Sequence, residues 1–437
     1  MKFETYEATL DFLFAQLPMF TRIGAPAYKE GLGNIEALCA HIGHPERKIK
    51  TIHVAGSNGK GSVSHMLAAT FQAAGYKTGL HTSPHLVDIR ERFRINGQLI
   101  DKTFIHQFIN QHYDFIQQLQ PSYFELNVAM AFQVFFEQGV DIAIIETGLG
   151  GRLDSTNIIT PELSVITNIS LEHTALLGDT LQKIAAEKAG IIKPNIPVII
   201  GETQAETEQI FFLKAHQSNA PITYADAIWD TVRVGLADDK QMFKLINKST
   251  LEMHTIETDL MGAYQSHNIT TAAAAISALQ HLGWDVDITV FSKALQHIIS
   301  ATGLKGRWET ISHQPKIIID VAHNPAGIEF LKDNLANNAI TGKTYFILGF
   351  ASDKDVDAVI KHFPKEALYI FTQAKVERAM PVASLVAKAN KNGIEGISTP
   401  NLATAISKVL ALAQPEDTII ITGSFFTVAD ALEVIQK

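Results

Sequence analysis

The residues most able to do chemistry are Gly56-Ser57-Asn58-Gly59-Lys60-Gly61-Ser62. Glycines let backbone N–H groups close around phosphate oxygens, and the start of a helix adds positive potential there. Lys60 can reach outer phosphates, and the Ser62 hydroxyl can face a magnesium ion. The spacing departs from the common phosphate loop, because Gly61 stands where that pattern has Ser or Thr directly after the lysine. A glycine-rich turn without a ligand is the alternative. The lysine, the β-branched run before the loop and the apolar periodicity after it favour phosphate binding.

Other candidates recur at the ends of apolar runs. Glu146 closes Ile142-Ala143-Ile144-Ile145 and suits either a magnesium-holding carboxylate or a solvent-facing strand end. Gly148, Gly150 and Gly151 follow it and suggest backbone close to a ligand. Ser83 lies in Thr82-Ser83-Pro84-His85-Leu86, a metal-binding loop or a plain surface loop. His173 follows Thr167-Asn168-Ile169-Ser170-Leu171-Glu172 and reads as a metal ligand or an exposed histidine. Lys188 sits among alanines, where a basic last turn favours the helix dipole. In Asp320-Val321-Ala322-His323-Asn324-Pro325, Asp320 can bind a hydroxyl or an ammonium, while Asn324 suits a helix cap. Arg307 can reach phosphate or pair with a surface carboxylate, and Ser424 follows the last apolar run.

These side chains need elements that end at a common edge. Apolar runs at 52–55, 78–81, 142–145, 163–167 and 198–200 predict buried parallel strands. Helical patterns at 63–74, 103–119, 125–137 and 180–189 separate most of them, with Gly75, Gly139 and Gly190 as left-handed stops. The fold class is therefore α/β: a mostly parallel sheet domain carrying the phosphate loop, with helices on both faces. Short alternating runs at 229–235 and 242–247 predict a small antiparallel region, followed by a helix at 267–282. A glycine-containing linker at 298–306 separates a nucleotide-binding domain, 1–297, from a smaller Rossmann-like α/β domain, 307–437. Its strands are expected at 316–321, 344–348, 368–372 and 418–422.

Bulk properties narrow the class. A length of 437 residues suits two to three domains, and 46% hydrophobic with 19% charged residues is an ordinary globular mixture. The net charge of −9 argues against nucleic-acid and anionic-membrane partners, so an anionic substrate must be held by local groups. A single cysteine, Cys39, excludes an intrachain disulfide and a cysteine-rich metal site. Acidic residues in the first segment do not fit a signal peptide, and the cytoplasm is the expected compartment.

In their order, the phosphate loop, Thr82-Ser83-Pro84-His85-Leu86, Glu146-Thr147-Gly148-Leu149-Gly150-Gly151-Arg152-Leu153-Asp154, Glu172-His173, Glu187-Lys188-Ala189-Gly190, Gly306-Arg307-Trp308-Glu309 and the Asp320–Pro325 run resemble the folylpolyglutamate synthase/dihydrofolate synthase family of the Mur ligase superfamily. The resemblance spans nearly the whole chain, and that family's phosphate loop has the Gly61 spacing. It implies an ATP-dependent amide ligase that joins L-glutamate to dihydropteroate, to the γ-carboxyl of a reduced folate, or to both, through an acyl phosphate. It implies nucleotide contacts at Gly56, Asn58, Gly59, Lys60, Gly61, Ser62, Asn268, Arg307 and Asp320. Ser83, Glu146 and His173 are the implied ligands of magnesium, as two ions, with a carbamylated Lys188 in support. Lys60, Lys188 and His323 are the implied catalytic groups, and His323 and Ser424 lie near the incoming glutamate. Phe124, Glu125, Leu153, Asp154 and Ser155 match the acceptor pocket, with residues 21–33 as its lid. Val128 departs from the family, which has Thr there. A monomer is expected. Two other classes compete: a cell-wall Mur ligase, whose UDP-sugar-binding domain has no room ahead of Gly56, and a phosphate-loop NTPase or nucleotide binder without ligation.

Overall fold

The computed structural model describes residues 2–17, 31–237, 240–337, 342–352 and 354–435. The chain divides into two compact units: 1–259 with 265–304, and 260–264 with 305–437.

In unit 1 the strands are β1 Thr51–Ala55, β2 Thr78–His81, β3 Phe93–Ile95, β4 Gln98–Leu99, β5 Ile142–Glu146, β6 Leu163–Ile166, β7 Val198–Ile200 and β8 Ile222–Tyr224. They form one sheet in the order β4-β3-β2-β5-β1-β6-β7-β8. The six strands from β2 to β8 in that order pair in parallel, and β3 and β4 add an antiparallel edge. Every residue of β1, β2, β5, β6 and β7 is buried, as expected for strands covered on both faces. Register then decides where the chemistry goes. Val54 pairs with Glu146, Ala55 with Ile166, and His81 with Ile145. The carboxyl ends of these four strands are therefore level, and their loops emerge side by side, where open parallel sheets bind ligands.

The helices start and stop for local reasons. Lys60–Ala73 begins after Gly59, which is left-handed at φ 84°. Tyr123–Glu137 carries a capping box between Ser122 and Glu125. Gly75 and Gly139 are left-handed stops, at φ 91° and 59°. Gly190 is not among the positive-φ glycines. It lies in the 3-10 turn Ala189–Ile191, and a Cβ there would stand 2.3 Å from Arg152 Cα. Close approach, rather than a left-handed stop, is what requires that glycine.

Strands β9 Trp229–Ala237, β10 Lys240–Asn247 and β11 Met253–Thr258 form a separate antiparallel sheet, one strand more than the sequence pattern gave. The helix Gln265–His281 follows. The expected linker at 298–306 is helical in its first part, Ile298–Thr302, and leaves helical geometry at Gly303, φ 69°. Of the expected lid, residues 21–30 lie outside the described residues.

Unit 2 holds β12 Glu309–His313, β13 Lys316–Ile319, β14 Thr344–Leu348, β15 Leu368–Phe371, β16 Gly396–Ser398 and β17 Thr418–Thr422. Their order is β12-β13-β17-β14-β15-β16, parallel except for β12. Trp308, Phe346, Phe350 and Phe371 anchor its core. Each such ring contributes about 1.5–3 kcal/mol by leaving water.

Candidate active site

The phosphate loop is clamped before any ligand arrives. Ser57 N–H donates to Asn168 O at 2.9 Å, Asn58 N–H to Asn168 Oδ1 at 2.9 Å, and Asn58 Nδ2 to Ser170 Oγ at 3.1 Å. Thr167 Oγ1 donates to Asn58 O at 2.5 Å. All of these partners lie in the loop after β6, so the strand register described above builds the clamp. The glycines are needed for close approach as well as for φ. A Cβ on Gly56 would stand 1.8 Å from Thr167 Oγ1, and one on Gly59 would stand 2.2 Å from Asn268 Oδ1. Asn268 is thus packed on the loop, held by Gln265 through Nδ2 at 2.8 Å.

Lys60 Nζ donates to the loop's own carbonyls, Gly56 O at 2.7 Å and Ser57 O at 3.2 Å. The Ser62 hydroxyl is buried and has no hydrogen-bond partner among the described residues. A buried orphan oxygen at the start of a helix, beside a lysine and two crowded glycines, fits a phosphate with its magnesium ion.

At the neighbouring strand ends, Ser83 N–H donates to Glu146 Oε2 at 3.3 Å. Glu146 is 4% exposed. Among the described residues no three His, Cys, Asp or Glu side chains gather in a metal-binding group. A carboxylate and a serine hydroxyl supply hard oxygens, which suit a magnesium ion that draws its remaining ligands from phosphate and water. His173 stands in left-handed backbone at φ 45°, just after Glu172, and its charge acts on that carboxylate.

Lys188 is 1% exposed. Its Nζ donates to Glu172 Oε1 at 2.7 Å and to Gly56 O at 2.8 Å. Burial would raise the Glu172 carboxyl, but Lys188, with Lys60 and His173, outweighs it and holds the group well below the usual carboxylate range. Burial likewise lowers Lys188, and Lys60 adds to that, against the pull of Glu172. The two directions differ in what they favour. The 2.7 Å contact supports an ionised pair whose lysine gives up its proton more readily than an ordinary one. Glu172 was not singled out from the sequence, because it meets Lys188 only through the fold.

Phe124 packs on the turn after β5, where a Cβ on Gly148 would stand 2.4 Å from its ring. Two of the expected acceptor-pocket carboxylates have structural duties. Glu125 Oε2 accepts from Ser122 N at 2.6 Å and Asn34 Nδ2 at 3.3 Å. Asp154 accepts from Leu149 N at 2.7 Å, Thr156 N at 3.0 Å and Thr156 Oγ1 at 2.5 Å. Burial raises the Asp154 carboxyl against those bonds. Asp154 thereby shapes the glycine turn and carries Leu153 and Ser155 on either side.

Within unit 2, Asp320 accepts from Trp308 N and Ala322 N, each at 2.8 Å, and from Tyr264 Oη at 3.4 Å. Burial raises its pKa, opposed by Arg307 and those bonds. The Arg307 guanidinium lies 5.4 Å from the centre of the Phe425 ring, and the His323 ring lies 6.2 Å from it. His323 Nδ1 bonds Val321 O at 2.9 Å, which leaves Nε2 as the acceptor of a neutral ring. Ser424 Oγ accepts from Thr427 N at 3.1 Å, a cap on the helix Phe425–Ile435. Arg307, Asp320, His323 and Ser424 thus gather at the carboxyl ends of β13 and β17.

Residues 54–276 match the Mur ligase middle domain, and residues 306–425 match the Mur ligase glutamate ligase domain. Dihydrofolate synthase/folylpolyglutamate synthase of Bacillus subtilis is 33% identical over 417 residues, spanning 92% of this chain and 94% of the relative. The solved structure of E. coli FolC in complex with DHPP and ADP superposes with a TM-score of 0.85 at 28% identity, covering 99% of this chain and 97% of that one. A bifunctional folylpolyglutamate synthase/dihydrofolate synthase with Mn, AMPPNP and L-glutamate bound gives 0.82 at 27%, covering 99% and 98%.

Proposed function

This chain belongs to the dihydrofolate synthase/folylpolyglutamate synthase family of Mur ligases, and from that premise we propose that it joins L-glutamate to dihydropteroate, to the γ-carboxyl of a reduced folate, or to both, at the expense of ATP. The observation that carries the reading is the phosphate loop with its buried orphan Ser62 hydroxyl, Lys60 and Asn268, beside Glu146 and Ser83.

The acceptor's carboxylate attacks the γ-phosphorus, an acyl phosphate forms, and ADP leaves. The neutral amine of L-glutamate then attacks the acyl carbon, phosphate departs, and the amine proton passes to a base. Lys60 exchanges the Gly56 and Ser57 carbonyls for phosphate oxygens, where charge builds during transfer. Magnesium, taken as two ions on Ser83, Glu146 and His173, would neutralise phosphate charge. Arg307 and Asp320 serve the nucleotide, and His323 and Ser424 serve the glutamate. With Nδ1 directed at Val321 O, His323 Nε2 is the ring nitrogen suited to take the amine proton.

The reading includes a carbamate on Lys188: its neutral amine adds carbon dioxide and loses a proton. The lowered pKa of the buried amine supports this, and the pair with Glu172 competes with it. A monomer acting in the cytoplasm completes the reading. No described helix is long and apolar enough to cross a membrane.

The test is product analysis. With ATP, magnesium, L-glutamate and either acceptor, mass spectrometry should find the acceptor enlarged by one glutamate residue, and ADP equal to the amide formed. ADP without amide would refute ligation.

A further inference from the structure

The loop that carries Ser83 runs from residue 82 to 88, between β2 and the 3-10 helix Ile89–Arg92. Glu91 is the third residue of that helix and closes a capping box with Asp88. A capping box asks its glutamate for one bond, to the N-cap amide. Glu91 makes three. Its Oε2 accepts from Leu86 N at 2.8 Å, and its Oε1 accepts from Val87 N at 3.1 Å and Asp88 N at 3.0 Å.

Three successive amides of the loop therefore converge on one carboxylate, and two of them lie outside the helix that the box serves. Nearby bonds point the same way. His85 Nδ1 accepts from the buried Arg92 Nε at 2.7 Å, and Thr82 Oγ1 donates to Glu91 O at 3.5 Å. At the far side Ser83 N–H reaches Glu146 Oε2. Charge-assisted bonds are about twice as strong as neutral ones, so the Glu91 carboxylate holds these three amides more firmly than a neutral acceptor would.

We propose that Glu91 is a positioning residue for the divalent-cation site: its carboxylate fixes the loop so that Ser83 stands against Glu146. This rests on the reading of Ser83 and Glu146 as cation ligands. Hard cations such as magnesium need near-ideal ligand geometry, so a loose loop weakens the site without removing a ligand.

E91Q keeps the volume, loses the charge and turns an amide N–H2 toward backbone donors. The full-length protein should then need about 10- to 100-fold more magnesium for half-maximal ADP formation, the range for residues that orient metal ligands. Manganese binding to the ADP-loaded protein, followed by electron paramagnetic resonance, should weaken by the same factor. ADP affinity measured in chelator should not change. A merely structural role would lower the melting temperature and leave both metal constants alone, and that result overturns the proposal. E91D keeps the charge with a shorter reach and should fall between wild type and E91Q. Should E91Q fail to fold, unchanged metal constants in E91D overturn the proposal. S83A separates the two readings. A shift in S83A but none in E91Q refutes the role of Glu91 alone, whereas no shift in S83A refutes the Ser83 assignment and this inference together.

Discussion

The turn after β1 and the turn after β13 share a topology and differ in which groups they leave unsatisfied. Both follow a buried parallel strand and lead into a helix. After β1, no side chain among the described residues caps the helix, Gly59 turns the chain, and the buried Ser62 hydroxyl has no partner among those residues. After β13, both oxygens of Asp320 are taken by backbone amides, and Asn324 Oδ1 accepts from Gly327 N at 2.7 Å. The first turn is prepared for an anion brought from outside. The second satisfies its own carboxylate and presents Arg307 and His323 around Phe425 instead. Residual hydrogen-bonding demand, rather than strand order, assigns the duties.

The largest test of that contrast removes the cation behind the first turn. Lys188→Met strands Glu172 as a buried, unpaired charge and should destabilise unit 1 by about 3–5 kcal/mol, read by urea unfolding. The double variant Lys188→Met with Glu172→Gln should recover much of the loss. Equal destabilisation in both variants would mean that the pair carries no charge.

Lys60→Ala comes next. Losing a charge that strengthens its contact in the transition state costs about 3 kcal/mol, on the order of a hundredfold in kcat, with normal thermal stability. Near-normal turnover would remove the phosphate loop from the account. Asp320→Asn should cost less, about 1–3 kcal/mol of stability in unit 2, because an N–H2 group must then face Trp308 N or Ala322 N. A neutral result would show that the second turn does not depend on its carboxylate.

The last prediction concerns pH, where the effect is gradual rather than all at once. The buried histidines among the described residues, His53, His65 and His81, all lie in unit 1. Burial, with Lys193 nearby, lowers His53 from 6.5 to about 3. The folded protein keeps it neutral while the unfolded chain takes up a proton. Stability should therefore fall as pH drops from 6.5 toward 3, by up to about 1.4 kcal/mol per pH unit for this residue, and should not respond to it above 6.5. His53→Gln should flatten that share of the acid profile in differential scanning calorimetry. An unchanged slope would contradict a neutral buried His53.

Much of this was legible in the sequence because buried parallel strands are written as unbroken apolar runs, and β2, β7, β14 and β17 carry their expected bounds. The β3–β4 hairpin was not anticipated: its signal is the Asn96-Gly97 turn, with φ of 48° and 74°, which the apolar pattern does not register. Lone residues were harder. Glu146 reads equally as ligand or surface group until register sets it beside Val54. Glu172 and Glu91 gain their roles from contacts that the linear pattern does not display, 16 residues away for one and three backbone amides for the other. Ser424 and Asp154 show the converse, since caps and binding residues use the same side-chain types.

The most direct measurement is ADP release against acceptor. With ATP, magnesium and L-glutamate held constant, release should be slight without an acceptor and should rise with dihydropteroate or tetrahydrofolate, one ADP for each amide. Equal release with and without either acceptor would make the first turn the site of a simple NTPase and contradict the ligase account.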